Sequence, residues 1–393
     1  MSRTVQRIVQ QHFPAIAEAR TLPPHWYRAA NKLSRCRTAA LGGHVQSCPD
    51  GHVERVWYNS CRHRSCPQCN QIQITHWLDR QRARLLQCSH HHIIFTIPHE
   101  FNALWRCQTT VMMEILFTCA RESLLQMLRD ERRLGDAEPG FLLALHTWGR
   151  SLSLHPHLHC LITDGGLSEH GWQAPRGSCF LPARALMAKF RGKFIDLVRR
   201  ALDHGDLALP PQTDPAAVQT CLNKLGRAKW NVHLRERYGH GNGVVQYLAR
   251  YVRGGPMQDS QIGITNDDHV SFRYMPHADV PGEQKTSVMR MASVAFLRRY
   301  LQHVPEPRKH TVRSYGLYAP RKADLLNSAR EAFGQPPIPD HEPVSWQSYL
   351  QHHVPDCGLH RCPTCGSAMR STRRIAPQRG PPVAITTMEQ THA

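Results

Sequence analysis

Residues 152–162 read Leu-Ser-Leu-His-Pro-His-Leu-His-Cys-Leu-Ile, and few stretches of the chain leave the fold so little freedom. Side chains of a strand alternate between faces, so His155, His157 and His159 share one face while Pro156, Leu158 and Cys160 share the other. The Thr163-Asp164-Gly165-Gly166 turn signal ends the run. The apolar face can pack on a helix, and the other face is a row of imidazoles. Neutral imidazole is the commonest protein ligand for a metal ion, and two of them on one rigid strand reach one ion without moving the backbone.

A second strand is expected at Phe141–Trp148, turned into the histidine strand by Gly149-Arg150-Ser151. With the turn centred there, His146 falls opposite His157 on the same face and becomes the candidate third ligand. A register slip of one residue would remove it and leave His155 as the alternative.

Fourteen cysteines point to a second kind of metal chemistry. The chain lacks an apolar run of membrane-spanning length, and its N-terminus lacks the apolar core of a secretory signal, so a cytoplasmic protein with reduced thiols is expected. Five cysteines lie between Cys36 and Cys69. The Cys66-Pro-Gln-Cys69 knuckle, preceded by Cys48 and His52, has the spacing of a zinc ribbon. Cys36, His44, Cys61 and His63 remain as extra ligands for a second zinc. Arg62 and Arg64 beside the knuckle are candidate phosphate contacts. Near the C-terminus, Cys357, His360, Cys362 and Cys365 form a small knuckle that is another zinc candidate. Cys88, Cys107, Cys119, Cys160, Cys179 and Cys221 are scattered among apolar residues and read as small core hydrophobes.

The formal charge of +19 on 393 residues implies a polyanionic partner, nucleic acid by default. Apolar spacing predicts helices in the first 35 residues around Pro23-Pro24, a basic amphipathic helix over 70–87, a long helix over 102–133 broken once, and helices at 183–202 and 291–303. Strands are expected at 90–97 and 229–235, and a hairpin at 262–265 and 270–275. Residues past 325 are Pro- and His-rich, and the basic stretch after Met369 reads as disordered.

Between glycines lies a short helix, Gly241-Asn-Gly-Val-Val-Gln-Tyr247-Leu-Ala-Arg-Tyr251-Val-Arg-Gly-Gly255. Tyr247 and Tyr251 are four apart and therefore share a helix face. Two phenols there can be packed aromatics, or nucleophiles for a phosphodiester. A phenol of pKa about 10 is only about one part in a thousand ionised at neutral pH, so attack needs a cation that offsets charge on the phosphate.

His157-Leu158-His159 and the Tyr247–Tyr251 helix, behind a Cys-rich N-terminus, resemble the HUH-class rolling-circle transposases of the insertion sequence ninety-one family. The likeness runs through Ile262-Gly-Ile-Thr, Val270-Ser-Phe-Arg-Tyr274, Phe296-Leu-Arg-Arg-Tyr-Leu-Gln-His303 and Arg313-Ser-Tyr-Gly-Leu-Tyr318, about residues 35–320. The resemblance implies that His157 and His159 bind a catalytic Mg2+ or Mn2+, that Tyr247 and Tyr251 are the nucleophiles, and that Arg250 between them contacts DNA. It implies an α+β fold: an HUH-type antiparallel sheet with the histidines on a central strand and flanking helices, an N-terminal zinc ribbon-like domain with structural Zn2+, and a small C-terminal Cys knuckle. The expected domains are 1–84, 85–335 and 336–393. The implied partner is single-stranded DNA at transposon ends and target, on the bacterial nucleoid. Plasmid replication initiators and relaxases share this chemistry, and a zinc-ribbon regulator without catalysis is the rival from another class.

Overall fold

A computed structural model describes residues 3–19, 21–176, 180–235, 237–252, 255–266, 268–276, 286–340, 345, 348–349 and 361–378, except the side chains of 250–252, 264 and 265. The helices are α1 (Thr4–Ala19), α2 (Pro24–Ser34), α3 (Gln71–Arg84), α4 (Asn102–Cys107), α5 (Thr109–Leu128), α6 (Ala183–Asp203), α7 (Pro215–Arg227), α8 (Asn242–Val252), α9 (Ser293–Leu301) and α10 (Ala323–Glu331). The strands are β1 (Gly43–Ser47), β2 (Glu54–Tyr58), β3 (His90–Thr96), β4 (Gly140–Trp148), β5 (Leu154–Thr163), β6 (Gly166–Ser168), β7 (Gly171–Gln173), β8 (Asn231–Leu234), β9 (Ile262–Asn266), β10 (His269–Tyr274), β11 (Ser287–Ala292), β12 (Val312–Gly316) and β13 (Arg370–Ile375). The class is α+β, with antiparallel sheets. No helix among the described residues is long and apolar enough to cross a membrane.

Packing divides the chain into two compact units, residues 77–252 with 305–341, and residues 1–76 with 253–304 and 342–393. The first is built on a five-stranded sheet ordered β12-β4-β5-β3-β8, with each neighbouring pair antiparallel. One face is apolar: Ile93, Phe95, Leu143, Leu158 and Cys160 are buried in one cluster with α5 and α6. Helix α6 contributes Leu186, Phe190, Phe194 and Val198, a stripe at spacings of four, and the Phe95 and Phe190 rings lie 5.0 Å apart. Burial of those side chains, about 1.5–3 kcal/mol each, holds the sheet's central strands rigid. The opposite face carries the histidines and is covered by α8, which packs on β4 and β5 through buried Val244, Val245, Leu248 and Ala249.

The second unit holds two three-stranded sheets, β13-β1-β2 and β11-β10-β9. Helix α1 packs on α2, α9 and β9, and Asp259 accepts a hydrogen bond from the Val5 amide at 3.1 Å. Phe272, Phe296 and Tyr300 are fully buried, with the Tyr300 hydroxyl donating to the Ser65 carbonyl at 2.7 Å.

Several expectations need correction. The expected limits at 84/85 and 335/336 do not follow the packing, because 253–304 closes on α1 and the C-terminal segment returns to β1. Residues 370–375, read as disordered, form β13, paired with β1. An edge strand tolerates three arginines because one side of it faces water. Helices α7 and α10 and strands β1, β2, β11 and β12 were not foreseen. Among the scattered cysteines, Cys88, Cys119 and Cys160 are buried, whereas Cys107 is exposed, Cys221 is half-buried, and Cys179 lies outside the described residues.

Candidate active site and metal centres

Strand β5 presents His157 and His159 on the face away from the core, and β4 places His146 directly opposite His157. The turn between them is closed by the Gly149 amide donating to the Ser153 carbonyl at 2.9 Å, with Leu152 in the left-handed region. The ligand nitrogens of His146, His157 and His159 lie within 4.8 Å of one another, and the His146 and His159 ring centres are 4.2 Å apart. His155 lies next to His157 on the strand's outer end and is not in this group.

The three imidazoles are poised as ligands. Nδ1 of His157 donates to the His155 carbonyl at 2.7 Å, which leaves the Nε2 lone pair for an ion. Burial pushes His157 down to about 4 and His159 to about 2, and holds His146 well below the ordinary histidine range. All three are neutral near pH 7 and available to a cation. Among the described residues, buried Nε2 of His159 has no hydrogen-bond partner, which is the condition expected of an atom whose partner is a metal.

His92 on β3 had been given no role by the sequence. Its Nε2 lies 2.8 Å from Nδ1 of His159. When Nε2 of His159 is the ligand atom, its Nδ1 carries the hydrogen and donates to His92, which fixes both tautomer and ring orientation. Period-two alternation from His90 was the available signal, since it puts His92 on a definite face, but nothing local says that β3 lies beside β5.

Helix α8 holds Tyr247 over this cluster. The phenol ring centre is 5.4 Å from that of His159 and 6.3 Å from those of His146 and His92. Tyr247 is 39% exposed, so a substrate can reach it. Tyr251 follows one turn later on α8, and its side chain, like that of Arg250, lies outside the described residues.

Two cysteine clusters occupy the other unit. Cys36, Cys61, Cys66 and Cys69 lie with their sulfurs within 4.8 Å, Cys61 to Cys69 at 3.6 Å and Cys36 to Cys66 at 3.7 Å. A tetrahedron of Zn–S bonds near 2.3 Å has S···S edges of about 3.8 Å, so an all-sulfur set of this size fits zinc. The Cys61 amide donates to Cys36 Sγ and the His63 amide to Cys61 Sγ, each at 3.5 Å, as suits thiolate sulfur. The ribbon expected from Cys48, His52, Cys66 and Cys69 is not what the chain forms. Cys48 and His52 gather instead with Cys362 and Cys365. Strands β1 and β2 flank the Cys48 turn, which joins the other cluster, and the turn that follows α2 supplies Cys36 in its place. His44, on β1, and His63 belong to neither cluster, and Cys357 and His360 lie outside the described residues. Arg62 is exposed next to Cys61 and adopts a left-handed backbone.

Comparison with known proteins agrees with this layout. The family described as "Transposase zinc-binding domain" matches residues 8–97, and the family described as "Putative transposase" matches residues 140–324. The chain is 32% identical over 357 residues to "Putative transposase y4qJ" of Sinorhizobium fredii, covering 88% of this chain and 89% of that one. It is 28% identical over 359 residues to the "Transposase for insertion sequence element IS801" of Pseudomonas savastanoi pv. phaseolicola, covering 88% and 83%. No solved structure matches significantly. With one family spanning the cysteine-rich segment, another spanning the histidine strands and α8, and a relative aligned over nearly the whole length, the chain belongs to the transposases of the insertion sequence ninety-one family, with an N-terminal zinc-binding domain.

Proposed function

We propose that this transposase cuts and rejoins single-stranded DNA at the ends of its element by rolling-circle chemistry, through a 5′-phosphotyrosine on Tyr247. The observation that carries the reading is the accessible Tyr247 phenol standing over three neutral, converging imidazoles. The Tyr247 oxygen attacks the scissile phosphorus, the bond from phosphorus to the 3′ oxygen breaks, and the phenol proton leaves to solvent. One strand end is then esterified to the tyrosine and the other carries a free 3′ hydroxyl. Because one phosphodiester replaces another, a different 3′ hydroxyl can reverse the step and complete strand transfer. His146, His157 and His159 would hold a divalent cation, Mg2+ or Mn2+, which polarises the phosphate. Helix α8 supplies the orientation, and Tyr251 one turn on is a second nucleophile for a second strand. Cys36, Cys61, Cys66 and Cys69 would hold the structural zinc.

The test is incubation with end-labelled single strands from the element's flanks in manganese or magnesium, followed by a denaturing gel. A labelled protein band is expected with the native protein and is lost with Tyr247→Phe and with His157→Ala. A band that persists in Tyr247→Phe and vanishes in Tyr251→Phe transfers the first attack to Tyr251. DNA bound on a native gel without any covalent band, metal present, would overturn catalysis by tyrosine.

A further inference from the structure

Three thiols and one imidazole from opposite ends of the sequence converge apart from both sites used so far. We propose that Cys48, His52, Cys362 and Cys365 bind a second structural zinc ion, which fastens residues 361–378 to the sheet of the N-terminal zinc-binding domain.

Each half of the site is a knuckle. In Cys48-Pro49-Asp50-Gly51-His52 the Gly51 amide donates to the Cys48 carbonyl at 3.0 Å, and the Cys48 amide donates to the Val53 carbonyl at 2.9 Å. Cys362-Pro363-Thr364-Cys365-Gly366 repeats the plan: the Gly366 amide donates to the Cys362 carbonyl at 2.9 Å, and the Cys362 amide donates to the Ser367 carbonyl at 2.8 Å. Gly51 (φ 76°) and Gly366 (φ 71°) both take the left-handed backbone that such a tight turn demands. Two knuckles facing each other are the usual way four ligands surround tetrahedral zinc.

The ligand atoms meet that requirement. Sγ of Cys48 is 3.6 Å from Nδ1 of His52 and 3.4 Å from Sγ of Cys365, and all four ligand atoms lie within 4.8 Å of one another. Cys48 and Cys362 are buried, whereas His52 and Cys365 are exposed, so the ion sits at a surface with a route for entry. Asp50 accepts from the Ser367 hydroxyl at 3.1 Å and from the Cys365 thiol at 3.3 Å, which orients Cys365 in the knuckle; the thiol protons pass to solvent when zinc binds.

The strands explain why the two knuckles meet. Ser47, the residue before Cys48, pairs with Arg370 at the start of β13, and the Ser47 and Thr372 hydroxyls are 2.9 Å apart. Strand β13 itself is almost wholly exposed, with only Ile375 half-buried, so apolar burial does little to retain it. A metal cross-link at its root supplies what the missing core does not.

The protein is saturated with zinc, desalted and weighed by native mass spectrometry. Cys48→Ser and Cys362→Ser should each carry one zinc fewer than the native chain, and the double variant should also lack only one. Combining Cys362→Ser with Cys66→Ser should remove two. Additive loss from Cys48→Ser and Cys362→Ser, or no loss from either, overturns the shared site. A measurement on the unaltered protein guards against misfolded variants: alkylation with N-ethylmaleimide, mapped by mass, with and without chelator. Cys48, Cys362 and Cys365 should be protected in zinc and become labelled along one time course when metal is withdrawn. Labelling of Cys362 and Cys365 in zinc while Cys48 stays protected overturns the proposal.

Discussion

His92 and His159 form the contact on which the proposed metal site turns, since one ring fixes the tautomer of the other across 2.8 Å. Removing such an outer partner typically weakens metal binding about 10- to 100-fold, so His92→Ala should raise the manganese concentration needed for half-maximal strand cleavage by that factor. The same maximal rate should return at saturating metal, and an unchanged metal dependence would exclude the positioning role. His90 is a cleaner pH probe. Its Nδ1 donates to the Cys88 carbonyl at 2.9 Å and its Nε2 accepts from the Tyr318 hydroxyl at 2.6 Å, and burial pushes it down to about 4. Below pH about 6.5 the unfolded chain protonates this ring and the fold does not, so stability is lost as pH falls from there to about 4, at up to about 1.4 kcal/mol per unit. Thermal melts of native protein and His90→Gln should therefore diverge in slope over that window, the native being steeper; parallel profiles would mean that His90 takes up a proton in place. His157, His159 and the opposed His146 were legible because alternation and a short turn are local rules. His92 was not, because strand neighbours are chosen by tertiary packing. The zinc partners misled for a related reason: nearness along the chain paired Cys48 with Cys66, whereas ligands are selected in space.

Helix α8 rests on a sheet whose other face is packed by α6. Phe190 touches Phe95, Phe194 and Trp230, and is fully buried. Phe190→Ala should cost about 3–5 kcal/mol, seen as a lowered denaturation midpoint, with the covalent DNA band reduced only to the extent that the protein unfolds. A normal midpoint would show that the cavity is filled by collapse of its neighbours. Most elements could be read from periodicity to within a few residues, including the break between α4 and α5, which falls at Gln108. Helix α7 announced itself only by Asp214-Pro215, where the Asp214 side chain accepts from the Ala216 and Ala217 amides, and its thin stripe of Leu222 and Leu225 gives a weak pattern. Strand β13 left no apolar pattern at all, since pairing with β1 is its whole reason for being a strand.

For the whole molecule, the +19 charge makes electrostatics with DNA the long-range term. Affinity for single strands should fall with salt along a line in log–log form, each phosphate neutralised adding about −0.7 to the slope. Arg62→Gln should flatten that line by about one such step if Arg62 touches phosphate, and an unchanged slope would remove it from the DNA path. The two units were the least legible feature, because each is assembled from separated segments and composition marks no boundary between them. That assembly also sets a clock. A chain leaves the ribosome N-terminus first, at about 5–20 residues per second. The middle strand β1 is made well before one of its two neighbours, which lies some 325 residues downstream and is the last secondary structure described. Throughout synthesis one edge of that sheet stays open, and a message cut short upstream of β13 leaves it open permanently. Closing that sheet therefore waits on the synthesis of β13, and any truncation upstream of it yields a transposase whose zinc-binding sheet lacks one strand.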